Sequence, residues 1–364
     1  MSVLIYLAIP VFLITLAVEA AWARRRTGDP RIVGYATKDT FASLAMGLGN
    51  VGIAAVTKLG TFALMTWLYQ YRVATLPNLW WTWVLLFFAE DFCYYWFHRA
   101  SHEVRALWAA HVNHHSSEHY NLSTALRQSW TTPFTAPAFW LVLPLLGFAP
   151  WMVFTQQAIS LLYQYWIHTE AIDRLPAPLE FIFNTPSHHR VHHGSNPEYL
   201  DRNYGGILIV WDRLFGSYAA EDETEPCVYG TRTPLRSWNP LWANLQVYAD
   251  LAKDSWRATA WTDKLRVWLK PPGWRPADVA ARWPKPAFDI AAVTRYDPPL
   301  SRAAALAAAL LFVLLLAATA ALLWQAHLLG AGALAAGALS IVAGLCAVAA
   351  ICAPRGAAGN PSEQ

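Results

Sequence analysis

The sequence predicts an all-α, polytopic membrane protein, and three observations support this fold class. Of the 364 residues, 55% are hydrophobic and only 14% are charged, so the mean hydropathy is positive. Apolar stretches long enough to cross a bilayer recur along the chain. Eleven of the twelve histidines lie between positions 98 and 193. A helical transmembrane core joined to a water-facing helical cap that carries the histidines accounts for all three.

Charge and cysteine content exclude some classes of protein. The net charge of +3 is too small to indicate a nucleic-acid partner, and the basic excess is typical of loop bias in a membrane protein. The four cysteines, Cys93, Cys227, Cys346 and Cys352, are scattered and none forms a C-x-x-C pair. We expect no disulfide framework, and a cap that faces a reducing compartment.

The N-terminal half contains three predicted spans. The first covers about 3–22 and is too long for a signal-peptide core, so a retained helix is expected, with Arg24–Arg26 after it on the cytoplasmic side. The stretch 41–69 exceeds the roughly 20 residues a bilayer needs and should be tilted, broken or partly re-entrant. The third, 79–97, carries two carboxylates, which are costly in a membrane and usually mark a site.

The second half continues with a hairpin, a polar segment and two more spans. Residues 133–166 read as a helical hairpin with its turn at 147–150, and 169–302 as an extramembrane segment. The predicted regions are therefore an N-terminal helix and basic loop (1–40), a catalytic region of membrane core plus cap (41–302), a C-terminal transmembrane pair (303–352) and a disordered tail (353–364).

Tryptophans mixed with Lys and Arg in the polar segment indicate helices that lie in the membrane interface. The alternative is that these tryptophans fill a soluble core. They are Trp238, Trp242, Trp256, Trp261, Trp268, Trp274 and Trp283.

The predicted topology brings the histidines to one side of the membrane. With the first loop cytoplasmic, the spans 41–69 and 79–97 run out and back, so His98 emerges at the cytoplasmic face. The hairpin begins and ends at that face and returns His168 to it. The remaining histidines follow in the cytoplasmic segment.

The histidine spacing predicts a metal site. Residues at i, i+3 and i+4 share a helix face, so each motif can direct two or three imidazoles at one point. Nitrogen ligands suit Fe, Zn or Cu, and so many histidines indicate two metals rather than one. Structural zinc would need only four ligands and usually recruits cysteine. The motifs are His98-x-x-x-His102, His111-x-x-His114-His115 and His189-x-x-His192-His193, with His168 between the last two.

An all-nitrogen metal pair beside a membrane core indicates oxygen activation on an apolar substrate. A metal transporter is disfavoured, because transporter ligands usually lie near the bilayer midplane on discontinuous helices. A zinc hydrolase is disfavoured, because no H-E-x-x-H motif occurs.

The order of these motifs resembles the fatty acid hydroxylase/sterol desaturase superfamily of membrane di-iron oxygenases. Fuller strings resemble its alkylglycerol monooxygenase branch, which cleaves ether lipids using tetrahydrobiopterin. The similarity covers about 79–299 and leaves out the terminal spans. The strings are His98-Arg-Ala-Ser-His102-Glu103, His115-Ser-Ser-Glu118, Asn121 to Ser129, Trp166-Ile-His168-Thr-Glu170, and Asn203-Tyr-Gly-Gly206 to Trp211-Asp-Arg-Leu-Phe-Gly216.

The resemblance implies a four-helix membrane core capped by a cytosolic helical domain with two irons. His188 is left open as a ligand, an orienting residue or neither. His119 stands where the branch more often has an acidic residue and is left out, and His327 is expected at the membrane interface. The implied iron ligands are His98, His102, His111, His114, His115, His168, His189, His192 and His193.

Catalytic or orienting roles are predicted for several polar residues, since ligating histidines usually donate their second N–H to a carboxylate or carbonyl. A capping or surface role is the alternative for each. Arg127 and Arg190 are predicted to hold a polar head group or to fix a carboxylate. The string from Gly205 to Gly216 is expected to be a turn and packing element. The residues with predicted catalytic or orienting roles are Asp91, Glu103, Glu118, Asn184 and Glu170, the last of which follows His168 by two positions.

The predicted function is an O2-dependent di-iron oxidoreductase that hydroxylates or desaturates a lipid C–H bond, with an ether lipid as one candidate. Sterol, carotenoid and fatty-acyl oxidation are alternatives within the superfamily. The reductant is left open between tetrahydrobiopterin and a ferredoxin-type electron donor. The expected partners are a membrane lipid, O2 and that donor, with the active site on the cytoplasmic side.

Overall fold

The computed structural model describes residues 3–326 and 328–353, and within them the chain is helical. Two isolated bridges, Phe183 with Leu208 and Gly194 with Tyr229, are the only β pairings of the described part. The predicted all-α class is confirmed. The helices are α1 (Val3–Arg24), α2 (Thr37–Tyr69), α3 (Trp80–Glu103), α4 (Arg105–Ala109), α5 (Val112–His115), α6 (Leu122–Ala125), α7 (Thr132–Thr135), α8 (Val142–Leu146), α9 (Pro150–Trp166), α10 (Ala177–Ile182), α11 (Pro186–His193), α12 (Val210–Phe215), α13 (Pro240–Arg257), α14 (Trp261–Leu269), α15 (Ala277–Arg282), α16 (Arg302–Gln325) and α17 (Ala331–Cys352), with 3₁₀ turns at Ala136–Trp140 and Ile290–Ala292.

Three helices of the described chain, α2, α16 and α17, are long and apolar enough to cross a membrane. The C-terminal pair packs side by side and against α2, through an apolar cluster that includes Ala45, Phe312 and Leu345. The chain is therefore an integral membrane protein. For α1 and α3 the membrane location stays a prediction.

Helix α2 runs unbroken for 33 residues. At 1.5 Å per residue it is about 50 Å long, well beyond the roughly 30 Å hydrocarbon core. Of the three possibilities for this stretch, a break or a re-entrant segment is therefore ruled out. The helix is either tilted or extends past the membrane, and its first turn, with Asp39, lies beside the histidine motifs.

Helix α3 extends beyond the predicted end of its span at position 97, to Glu103. His98 and His102 are thus held on the last turns of a long helix. Its neighbour is α9, and the two share an apolar cluster with Leu86, Trp140 and Met152. This packing fixes the direction in which α3 presents its histidines.

The predicted hairpin is present, but its two arms differ. The first arm, 132–146, is split into α7, a 3₁₀ turn and α8, because three prolines interrupt it. Gly147 makes the turn at φ +110°, and a Cβ there would strike the carbonyl of Ala74, so glycine is required. The second arm, α9, is continuous and ends just before His168.

The segment from 169 to 301 forms short helices and loops around the histidines. Helices α4, α13 and α14 pack through Ala109, Leu251 and Val267, and α13 also contacts α17. Helix α13 reaches the histidine motifs through Asn244, whose side-chain oxygen accepts from Asn113. His327 and nearly all of the predicted tail lie outside the described residues.

A substitution at Gly49 of α2 tests the packing between the membrane core and the cap. A Cβ at this position would collide with the indole of Trp130, which is held in place because its Nε1 donates to the Met46 carbonyl at 2.8 Å. We predict that Gly49→Ala lowers the free energy of unfolding by about 1–3 kcal/mol through overpacking, measured as the thermal midpoint in detergent.

Gly60→Ala is the matched control on the same helix. A Cβ there meets nothing within 4 Å, and alanine favours the helix by up to about 1 kcal/mol. Equal thermal midpoints for the Gly49→Ala and Gly60→Ala proteins would contradict the packing described.

Candidate metal centre

The structure brings all nine predicted histidines together in two groups. Within each group the candidate ligand atoms all lie within 4.8 Å of one another. The first histidine group contains His98, His102, His111, His115 and His192, and the second histidine group contains His114, His168, His189 and His193.

Each of the two H-x-x-H-H motifs is divided between the groups. On α11, His189 and His193 belong to the second group while His192 belongs to the first. In the other motif, His111 and His115 belong to the first group and His114 to the second. Neighbouring residues on a helix point about 100° apart, so the i, i+4 pair shares one group and the i+3 residue faces the other. Two imidazoles of each motif therefore share one site, as the spacing allowed, and the third imidazole joins that motif to the other site.

Backbone carbonyls fix the orientation of four rings. The Nδ1 atoms of two first-group rings donate to carbonyls, His98 to Tyr204 at 2.8 Å and His192 to Arg202 at 2.9 Å. In the second group His114 donates to Arg127 at 3.1 Å, and His168 donates to Gln164 one helical turn earlier at 2.7 Å. A carbonyl only accepts, so in each ring the hydrogen is on Nδ1 and the Nε2 lone pair points inward.

The inward atoms of His114 and His168 cannot form a hydrogen bond with each other. The Nε2 atoms of His114 and His168 face each other at 3.2 Å, and neither carries a hydrogen when both Nδ1 atoms donate elsewhere. Two lone pairs in this position repel unless a cation lies between or beside them. His102, His192 and His193 add three buried Nε2 atoms with no hydrogen-bond partner in the described chain. Buried polar atoms are rarely left unpaired, so the residues present fit metal ions.

Burial keeps the rings neutral, as metal ligation requires. Desolvation lowers the pKa of His114 to about 4 and that of His189 well below its usual value. Both residues are less than a tenth exposed. A proton is therefore a poor substitute for a metal at neutral pH.

The loop from Asp201 to Tyr204 is built to present two carbonyls. Asp201 and Asn203 both have φ of +57°, in the left-handed region that few residues other than glycine adopt. Asn203 is held there by its side chain, which donates to the carbonyls of His188 and Ala219 at 3.0 and 2.7 Å. The two carbonyls that orient His192 and His98 come from this loop, so the backbone strain serves ring orientation.

Asp91 and Asn184 hold the next part of the same loop. The Asp91 carboxylate accepts from the backbone N–H of Ile207 and Leu208 and from the indole of Trp211, at 2.8–3.1 Å. Asn184 donates to the Gly205 carbonyl at 2.6 Å. Neither of these bonds involves a histidine ring, so the two side chains position the loop instead of the imidazoles directly.

The other predicted carboxylates also have partners away from the rings. Glu103 is half exposed and accepts from Arg99 at 2.9 Å, and Glu118 accepts from the backbone of Tyr296. Glu170 accepts from the N–H groups of Val33 and Gly34 at 3.0–3.1 Å. These contacts match the capping and surface alternative, and a catalytic role for them stays a prediction.

Both candidate arginines fix carboxylates. Arg127 is fully buried and donates to Asp39 at 3.1 Å, which ties the first turn of α2 to the segment that orients His114. Arg190 makes a two-pronged pair with Glu221 at 2.7–2.8 Å. Their charges are satisfied inside the protein, which leaves no free guanidinium for a head group.

His188 and His119 lie outside both groups. The Nε2 of His188 pairs with the Glu180 carboxylate at 3.0 Å, and Nδ1 of His119 lies 3.3 Å from the Gly34 carbonyl. The His188 ring thus pairs with a carboxylate away from both groups, while its backbone carbonyl accepts from Asn203.

The orienting groups that the sequence did not reveal are mostly backbone atoms. No residue type marks which carbonyl will face an imidazole, and only the Asn203-Tyr-Gly-Gly206 string pointed to an unusual turn. Asp201 was also missed; its carboxylate lies 3.8 Å from Nδ1 of His102.

The middle of the chain matches a known family. Residues 83–217 match the fatty acid hydroxylase family. This range contains both histidine groups and the loop that orients them. No solved structure matches the chain significantly.

Several curated relatives are similar to parts of this chain. The chain is 44% identical over 234 residues to an alkylglycerol monooxygenase of Xenopus tropicalis, covering 63% of this chain and 51% of that one. It is 46% identical over 211 residues to the Homo sapiens alkylglycerol monooxygenase, covering 57% and 46%. An ornithine lipid hydroxylase of Rhizobium tropici is 34% identical over 130 residues, covering 35% and 39%. The chain spans about half the length of the alkylglycerol monooxygenases it matches. Residues 83–217 are thus similar to the fatty acid hydroxylase family, and the relatives named alkylglycerol monooxygenase are similar to this chain over about half of their own length.

Proposed function

We propose that the protein is a membrane-bound di-iron monooxygenase that hydroxylates a lipid C–H bond, with an ether lipid as the favoured substrate. The observation that carries the proposal is the facing pair of Nε2 lone pairs in the second histidine group, together with the matching first group. Two adjacent all-imidazole sites indicate a dinuclear centre. Relatives named as alkylglycerol monooxygenases favour the ether lipid over a sterol, carotenoid or free fatty acyl chain.

Nine neutral nitrogen donors and no thiolate favour iron over structural zinc, which usually recruits cysteine. The cysteine on α3, Cys93, lies in the apolar cluster with Phe97 and Trp140. When bound, a pair of ferrous ions supplies the electrons and the coordination positions that activate O2 for attack on an unactivated C–H bond. The first histidine group would hold one ion and the second histidine group the other.

The protein's own contribution is to orient the imidazole rings and to exclude water. The carbonyls of Tyr204, Arg202, Arg127 and Gln164 hold their partner imidazoles in one tautomer, so these four rings do not have to reorganise during turnover. The aromatic ring of Tyr94 lies 5.3 Å from that of His98 on the membrane side of the first group. Apolar residues of α3 and α9 adjoin the same side, which suits a hydrocarbon chain and keeps the reacting carbon dry.

The oxidation needs two electrons and two protons besides O2 if one oxygen atom is to leave as water. Tetrahydrobiopterin would supply both electrons together with protons, whereas a ferredoxin-type protein would supply the electrons in two single transfers and the solvent would supply the protons. We place the centre on the cytoplasmic side, because Arg24, Arg25 and Arg26 follow the first helix and the positive-inside rule puts them there.

Histidine substitutions test the metal assignment. We expect His111→Ala and His192→Ala to abolish lipid oxidation and to lower bound iron below two per chain, because each removes a nitrogen from the first histidine group. His189→Ala should do the same through the second group. Iron, zinc and copper per chain are measured by elemental analysis of protein purified in detergent.

His119→Ala is the control, because His119 is a histidine close to the same segment but outside both groups. It should keep its metal and its turnover. Full iron with retained turnover in His111→Ala and His192→Ala would refute the assignment, and one zinc per chain in the unsubstituted protein would favour a hydrolase.

Isotopic oxygen tests the reaction and its substrate. Cells that express the protein under labelled O2 should accumulate label in a lipid alcohol or in an aldehyde released from an ether lipid, detected by mass spectrometry of the lipid extract. Cells with the His192→Ala variant should not. Label in a sterol, or a desaturated lipid without label, would redirect the proposal to another reaction of the family.

A further inference from the structure

The surface of α13 and α14 exposes large apolar side chains that nothing in the described chain covers. On α14, Trp261, Leu265 and Leu269 are 81%, 69% and 69% exposed and follow one another at four-residue spacing. They therefore form one ridge along the helix. Trp256, at the end of α13, is 85% exposed beside them. Soluble surfaces rarely carry contiguous apolar patches of this kind without a partner.

The same segment has a net positive charge. Residues 240–285 contain eight Lys and Arg against four Asp, a net charge of +4, whereas the complete chain has +3. Of the basic side chains on or next to α14, Arg266 and Lys270 lie on the exposed side. Lys264 lies 5.7 Å above the Trp261 ring, with its ammonium bound to two backbone carbonyls of α13. Apolar ridge and basic flank thus occur together on one surface.

The start of α13 lies next to α17, one of the helices long enough to cross the membrane. Pro240 lines a small crevice together with Leu345, Val348 and Ala349 of α17, within eight residues of the end of that helix. The next residues, Leu241, Trp242 and Leu245, are each more than two-fifths exposed. A surface that begins beside the last turns of a membrane span continues naturally along the lipid–water boundary, where tryptophan is enriched.

We propose that the exposed face of α13 and α14 docks on the surface of the protein's own membrane and binds anionic lipid head groups there. The apolar ridge enters the boundary between head groups and acyl chains, and the basic flank contacts the phosphates. The prediction of interfacial helices from the tryptophans thereby gains a specific surface and a specific ligand. Trp268 and Trp274 are different. They pack against the apolar cluster of Ala109, Leu251 and Val267, and so match the alternative that tryptophans fill a soluble core.

Helix α13 also connects the proposed docking surface to the histidines. Asn244 is buried on the inner face of α13, where its side-chain oxygen accepts from the N–H of Trp130 at 2.7 Å and from Asn113 at 3.3 Å. Asn113 immediately precedes His114. The membrane surface and the second histidine group are therefore linked by one helix.

Photo-crosslinking tests the proposal on the full chain in lipid nanodiscs. Leu265 or Leu269 is replaced by benzoylphenylalanine, and lipid adducts are counted by mass spectrometry after illumination. Both positions should give adducts, in higher yield in a bilayer of phosphatidylcholine and phosphatidylglycerol than in phosphatidylcholine alone. Neither position touches the metal centre, and the readout needs no turnover, so it is independent of the proposed function.

Two controls keep the result interpretable. Benzoylphenylalanine at Glu223, which is 88% exposed in an acidic loop, should give no lipid adduct. Adding Arg266→Gln and Lys270→Gln to the Leu265 probe should remove the preference for phosphatidylglycerol, with a loss of about fivefold per charge. Both basic residues are exposed, and the one ion pair that is lost, Arg266 with Asp263 at 3.3 Å, is a surface pair, so these changes leave the fold intact.

The opposing outcomes are distinct. No lipid adduct at Leu265 and Leu269 in either bilayer would overturn the proposal. A crosslink to a second copy of the chain would assign the face to self-association. Equal yields in the two bilayers would overturn the anionic preference.

Discussion

The hydrogen bond from a ring Nδ1 to a backbone carbonyl is the interaction on which this structure depends. It decides which nitrogen of each imidazole carries the hydrogen, and it does so without a side-chain charge. At His114 and His168 the result is two inward lone pairs at 3.2 Å. An arrangement that is unfavourable without a cation becomes a preorganised site with one, since the protein has already met the cost of bringing the donors together.

The carbonyls that orient the rings are in turn held in place by buried charged side chains, which do not contact the rings themselves. Asp91 fixes the loop that follows Tyr204, and Arg127 joins its own segment to Asp39 of α2. The Arg127–Asp39 pair is costly to bury and a weak source of stability, but removing one partner would leave an uncompensated charge. The value of Asp91 and of this pair is geometric, because each fixes a backbone segment next to a carbonyl that orients a histidine. Carboxylates placed one step away leave the imidazoles with neutral orienting partners.

Sequence reasoning reached the nine histidines and the helical fold because both follow from local periodicity. Spacing identified the motifs, and the return of the hairpin singled out His168, which does lie beside His114. The division of each motif between two groups depends on how α5 and α11 face each other, which spacing alone does not contain. The orienting carbonyls could not be predicted at all, since every residue has one. Asp91 and Asn184 were found as polar residues near the site, but their partners lie far away in sequence and only the folded chain reveals them.

The length of α2 has a mechanical consequence. A single rod of 33 residues carries Asp39 at one end, and Asp39 pairs with Arg127, whose carbonyl orients His114. The rod is longer than the hydrocarbon layer, so it either tilts in the bilayer or extends past it. One continuous helix therefore joins the apolar, span-length part of the chain to the residues that align a single imidazole.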